Sequence, residues 1–199
     1  LAFGTITDES GVKRIAASAW FEDGSLEGIT TVLSPDGSGF DADSVESPVV
    51  FENEEGLVML YSGTRNGRSK IGLATSPNGL QWQRQGVVLS NQNDWESLAV
   101  VPSSIENIEG GYRLWYSGNN GSAWKIGSAT STDGRNWTRD STQPEMMAGK
   151  AGDWDDSGVR DPVLDPTSEQ PALWYSGFDG QQWQIGYAVY DGEEWIRSS

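Results

Sequence analysis

Apolar positions along the chain fall in short runs rich in aromatic and β-branched residues, and each run is cut by an Asp-Gly or Asn-Gly pair. Such runs predict strands joined by tight turns, because Asn-Gly and Asp-Gly tolerate the positive φ angles that hairpins require. No segment keeps the 3.6-residue period of an amphipathic helix, and residues 151–157 read as loop. The pattern predicts an all-β chain.

The strands repeat. Leu60-Tyr61-Ser62-Gly63, Trp115-Tyr116-Ser117-Gly118 and Trp174-Tyr175-Ser176-Gly177 each continue into an Ile-Gly-x-Ala run, at Ile71-Gly72, Ile126-Gly127 and Ile185-Gly186. Each copy then reaches a turn and a tryptophan: Asn78-Gly79 with Trp82, Asp133-Gly134 with Trp137, and Asp191-Gly192 with Trp195. A blurred copy reads Trp20-Phe21-Glu22-Asp23, then Ile29 to Ser34, then Asp36-Gly37 and Phe40. The turn residues Asp36, Asn78, Asp133 and Asp191 are spaced by 42, 55 and 58 residues. Before each clear copy an aromatic-acidic pair (Phe40-Asp41, Trp95-Glu96, Trp154-Asp155) leads into a strand, with a valine five residues after the aromatic: Val45, Val100 and Val159.

One unit therefore predicts four antiparallel strands, which is the blade of a β-propeller. A single propeller domain over residues 1–199 is expected, with blades at about 41–90, 91–144 and 145–199 and a partial one at 1–40. The ring is either a compact four-bladed one or a larger propeller lacking blades, and the start at Leu1, inside a blade, favours the second. A missing blade or a partner chain would then close it. The glycine of Ile-Gly-x-Ala is expected to receive an aromatic ring from a neighbouring blade. Trp82, Trp137 and Trp195 are expected as inter-blade core, and Trp115, Tyr116, Trp174 and Tyr175 as packing.

Composition narrows the chemistry. The chain has 29 acidic and 13 basic residues, a formal charge of −16, no Cys and no His. Nucleic acid is a poor partner for such a surface, and thiolate or imidazole metal sites and Ser-His or Cys-His dyads are excluded. Catalysis would run on carboxylates. No apolar block suits a membrane span or a leader. The acidic excess suits a high-salt setting or an exported protein, extracellular or periplasmic.

Tyr-Ser-Gly followed by Ile-Gly-x-Ala, the Asp/Asn-Gly turn and Trp, together with Gly158-Val159-Arg160-Asp161-Pro162-Val163, resembles the arabinanase/levansucrase/invertase superfamily. Its members are five-bladed propellers of the glycoside hydrolase family 43 and 32 type. The resemblance implies an axial funnel at which carboxylates from different blades hydrolyse an oligo- or polysaccharide. It also implies that Asp161, in an Arg-Asp-Pro motif, contacts sugar hydroxyls and stabilises the transition state.

Counting from the shared valine places Ser47 and Pro102 where Asp161 stands, so the acid recurs in neither of the other copies. Glycoside hydrolysis needs one protonated and one ionised carboxyl. Asp161, Glu46 and Glu96 are the catalytic candidates. Asp41, Glu96 and Asp155 recur at one step of the unit, which competes with catalysis by Glu96 and reads as capping of loop amides. Arg160, Trp124 and Trp183 are candidates for sugar contact, since indole faces receive the apolar C–H face of a pyranose. No metal or other cofactor is expected. Loss of the acid pair would instead leave a non-catalytic carbohydrate-binding or scaffold propeller.

Overall fold

The computed structural model describes residues 1–198, and these form fifteen strands, one 3-10 turn at Asp94–Glu96 and no α-helix. Three strands come first: β1 (Ala2–Thr7), β2 (Lys13–Trp20) and β3 (Leu26–Leu33), paired antiparallel in order. A second series holds β4 (Ser44–Asn53), β5 (Gly56–Arg65), β6 (Arg68–Ser76) and β7 (Gln83–Leu89), again each paired with the next. A third holds β8 (Ala99–Ile108), β9 (Gly111–Asn119), β10 (Trp124–Ser131) and β11 (Thr138–Arg139). The last holds β12 (Gly158–Leu164), β13 (Ala172–Phe178), β14 (Trp183–Tyr190) and β15 (Trp195–Arg197).

These strands form two compact units. One contains Leu1–Ser90 with Val100–Pro102 and Asp133–Asn136; the other contains Asn91–Ala99, Ser103–Thr132 and Trp137–Ser199. In the first, Ile15, Leu33, Val45, Met59, Tyr61 and Ala74 make the core, with Phe3, Phe40 and Trp82 against it. In the second, Trp115, Ile126, Met146, Val159, Leu173, Tyr175, Ala188 and Trp195 do the same.

The turns form as their residues dictate. The side-chain oxygens of Asn78, Asp133 and Asp191 accept backbone N–H bonds two and three residues on. The glycine after each has positive φ, between 72° and 105°. Asp36 builds the same turn with Ser38 and Gly39. That likeness misplaces the blurred copy by one strand, however. Thr5 lies opposite Ile15 as Ser62 lies opposite Ile71, and Leu33 lies opposite Ile15 as Leu89 lies opposite Ile71. So β1, β2 and β3 correspond to β5, β6 and β7. Trp20 ends β2 in an exposed position, and Asp36-Gly37 leads out of β3 instead of joining two strands of a hairpin.

The glycines of the repeat take an aromatic ring, but from a different source than the pattern predicts. Each ring comes from the lead-in of the same series. A Cβ on Gly72 would stand 2.2 Å from Phe40, one on Gly127 2.7 Å from Trp95, and one on Gly186 2.2 Å from Trp154. The rings lie against Tyr61, Tyr116 and Tyr175 at 5.8, 5.8 and 5.4 Å between centroids. Trp115, Trp137 and Trp195 are buried, while Trp82 is partly buried, its indole N–H donating to Gly79 O. Trp174 departs from its expected packing role: it rests on Tyr187 and is 49% exposed.

Beside each ring lies a buried carboxylate. Asp41 Oδ2 accepts the Tyr61 hydroxyl at 2.9 Å and Arg84 Nε at 2.8 Å. Asp155 Oδ2 accepts the Tyr175 hydroxyl at 2.9 Å and Arg197 Nε at 2.7 Å. Glu96 is ion-paired to Arg139 Nε at 2.7 Å, and its Oε1 accepts the backbone N–H and side-chain amide of Asn93. The amide-capping role expected of these acids thus holds for Glu96, whereas Asp41 and Asp155 spend themselves on side chains. The arginines stand two residues after Trp82, Trp137 and Trp195, a Trp-x-Arg repeat that is visible in the sequence once its purpose is known.

Burial, foremost, and the adjacent carboxylates raise the phenol pKa of Tyr61, Tyr116 and Tyr175. A folded-state pKa above the unfolded value contributes stability below about pH 10 that is lost as pH rises beyond it. Alkaline titration should therefore show these phenols ionising late and together with loss of the fold, followed by phenolate absorbance alongside circular dichroism. Full ionisation with the fold intact would contradict the buried arrangement.

Candidate functional site

In the second unit, β12 begins as an ordinary strand, with Val159 buried opposite Gly177 and Arg160 opposite Ser176. The ladder then slips and resumes at Val163 opposite Trp174, so Asp161 and Pro162 form a bulge. Asp161 sits there at φ 55°, in the left-handed region. For a non-glycine residue this costs about 1–3 kcal/mol, and the α conformation is further disfavoured before proline. The surroundings must hold such a residue in place. Asp161 N donates to Ser117 Oγ on β9 at 2.9 Å, and the Ser104 hydroxyl of β8 donates to Pro162 O at 2.8 Å. Two hydroxyls from the preceding series thus pin both sides of the bulge.

The bulge turns the Asp161 carboxylate outward, where its side chain is 45% exposed. Arg160 Nε donates to Asp161 Oδ2 at 2.8 Å. The same guanidinium lies 5.1 Å from the centroid of Trp124 and 5.2 Å from that of Trp183, and Phe178 stacks on Trp183 at 4.8 Å. Indole faces attract the cation, so the arginine is oriented by two rings while its fork stays beside the carboxylate. Asp161, Arg160, Trp124 and Trp183, expected separately from the sequence, form one cluster. It offers an acceptor for hydroxyls, a fixed cation and apolar ring surface.

The other two candidate acids are placed differently. Glu46 pairs with Lys13 at 2.5 Å in the first unit, with its side chain 23% exposed. Glu96 is fully buried between Arg139 and Asn93, and a carboxyl that transfers a proton to a sugar must reach that sugar. Among the described residues no group of three or more His, Cys, Asp or Glu is arranged to hold a metal ion.

The valine count that equates Ser47 with Asp161 has a backbone counterpart. Ser47 also precedes proline, also sits in a ladder slip, and has φ 54°; its N–H donates to Thr5 Oγ1 at 2.9 Å. Thr5 and Ser117 occupy one register, each opposite the isoleucine of the adjoining strand, Ile15 and Ile126. The third equivalent, Pro102, has no N–H to give. Ser62, opposite Ile71 in that same register, is fully buried, and its hydroxyl has no hydrogen-bond partner. Sequence reasoning missed these hydroxyls, although their constant place ahead of the Gly of Tyr-Ser-Gly was a readable signal in three copies.

The chain matches no protein-family model and no curated protein sequence. It is similar to solved structures. A glycosyl hydrolase from Bacteroides ovatus superposes with a TM-score of 0.73 at 17% identity, over 97% of this chain and 64% of its own. A structure described under the GH130 family of mannoside phosphorylases, containing glycoside hydrolases that target β-1,2 mannosidic linkages in Candida mannan, gives 0.73 at 20% identity, over 98% and 64%. Sucrose-6-phosphate hydrolase from Lactobacillus gasseri gives 0.65 at 15%, over 77% and 33%. The likeness shows the fold alone, an all-β propeller-type fold shared with these structures, and this chain spans less than two thirds of their length.

Because the left-handed backbone at position 161 is strained, replacing Asp161 by Gly should leave the melting temperature at or above that of the wild type, despite the lost exposed ion pair. Asp161→Val should lower stability by about 1–3 kcal/mol. Calorimetry of both variants checks this, and a glycine variant much less stable than the wild type would contradict it.

Proposed function

We propose that this chain is part of a glycoside hydrolase-type propeller that acts on an oligo- or polysaccharide, with Asp161 as the carboxylate facing the sugar and Arg160, Trp124 and Trp183 as its binding surface. The observation that carries this reading is the outward, strained Asp161 held beside an arginine between two tryptophans. Strain of this kind persists where the environment over-determines it, and it concentrates at functional sites. The carboxylate would accept sugar hydroxyls and stabilise positive charge developing at the anomeric carbon; the indoles would contact C–H faces. β-Linked mannosides are the first substrates to examine, because a structural neighbour is described as acting on them.

A second reading is a propeller that binds carbohydrate without cleaving it. Ser47 and Pro102 at the positions equivalent to Asp161, together with the sealed Glu96, favour it. In either reading a further repeat would cover the last series, from additional polypeptide or a partner chain. Ile185 is 80% exposed, whereas Ile126, in the same register of the third series, is fully buried. The acidic surface fits an exported protein working outside the cytoplasm.

The test is turnover and binding of β-1,2-mannobiose, with and without inorganic phosphate, alongside arabino-, xylo- and fructo-oligosaccharides. Asp161→Asn should abolish turnover while shifting stability by less than about 1 kcal/mol, since Asn tolerates the left-handed region. Trp183→Ala should weaken binding of the same sugar in a titration. Neither turnover nor binding of any of these sugars by the wild type would overturn the proposal, and binding without turnover would select the second reading.

A further inference from the structure

Ser117 is almost wholly buried within a strand of the repeat, yet its hydroxyl accepts a hydrogen bond from the backbone N–H of Asp161. We infer that Ser117 is a positioning residue: its buried hydroxyl holds the Asp161 peptide in the left-handed conformation and so aims the carboxylate outward. The inference rests on the reading of Asp161 as the sugar-facing acid, and it deepens that reading by naming what orients the acid.

Three observations support it. The Ser117 hydroxyl accepts the Asp161 N–H at 2.9 Å, and Ser103 Oγ lies 3.3 Å away, so the serine has a partner for its own proton while it accepts. Thr5 does the same for Ser47, so a threonine hydroxyl also serves at this register, again beside a left-handed, pre-proline residue. Ser62 supplies the negative case. It holds the same register, the corresponding residue is Pro102 without an N–H, and Pro102 does not have positive φ. Where the donor is absent, the left-handed residue is absent too.

The experiment compares Ser117→Ala, Ser117→Thr and Ser62→Ala. Its first readout is the Asp161 amide, followed by NMR chemical shift and hydrogen exchange in the isotope-labelled chain. The alanine variant at 117 should move the Asp161 amide and Cα shifts away from left-handed values and speed exchange of that amide. The threonine variant should restore both, as Thr5 predicts, and Ser62→Ala should leave both unchanged. Unaltered Asp161 shifts and exchange in Ser117→Ala would overturn the inference. The second readout is kinetic, with β-1,2-mannobiose as the probe. Ser117→Ala should lower kcat on the order of 10–100-fold with KM nearly constant, the cost of a misaimed group, with recovery in Ser117→Thr. A loss in KM alone, or equal losses in Ser62→Ala, would also overturn it. A wild-type chain inactive on this sugar would count against the proposed function, and the amide measurements would still decide the role of Ser117.

Discussion

A buried carboxylate in the lead-in, tied to an arginine on the fourth strand, organises each of the three full series. Asp41, Glu96 and Asp155 are almost wholly removed from water, a state that is costly for a charge unless it is paired and hydrogen-bonded. The pairing is supplied by Arg84, Arg139 and Arg197 at 2.7–2.8 Å, with a tyrosine hydroxyl added for two of the acids. Removing one partner from such a pair typically costs about 3–5 kcal/mol, because the other is left buried and uncompensated. The knot joins the lead-in to the fourth strand, and in two series to the second strand as well, so a series cannot slip its register without breaking it.

The aromatic ring next to each knot extends the same constraint to the glycines. Phe40, Trp95 and Trp154 lie on bare backbone at Gly72, Gly127 and Gly186, where any side chain would collide with them. The lead-in is thereby clamped between a ring seat and an ion pair. What emerges from the clamp is the valine-led strand, delivered at a fixed height, and two residues past the valine comes the bulge. The place of Asp161 is thus set by packing that begins at Trp154 and Asp155.

The bulge shows a different balance of forces. Nothing apolar is gained by turning Asp161 outward; the conformation is held by polar contacts, Ser117 on one side and Ser104 on the other. A stable buried knot and a strained, partly exposed residue lie six positions apart on one segment. The first supplies the rigidity that lets the second persist. The equivalent Ser47 keeps the strain without a carboxylate, and Pro102 keeps neither, so a single scaffold presents three different groups at one geometric position.

Strand content, turn chemistry and the repeat were all legible in the chain, because they are local: Asn-Gly and Asp-Gly turn wherever they occur, and alternation declares a strand. The proximity of Asp161, Arg160, Trp124 and Trp183 was also within reach, since equivalent positions in repeated strands lie at equivalent places. The first forty residues were misread because they lack the Tyr-Ser-Gly and Ile-Gly signatures, while their Asp36-Gly37 turn imitates one that belongs elsewhere. Tertiary structure alone decided which acids are sealed and which are offered. Glu96 and Asp161 look alike on paper, but the partners that bury one and expose the other arrive from 43 and 44 residues away: Arg139 for Glu96 and Ser117 for Asp161. Desolvation and backbone strain depend on neighbours that only folding assembles, and no short stretch of sequence contains them.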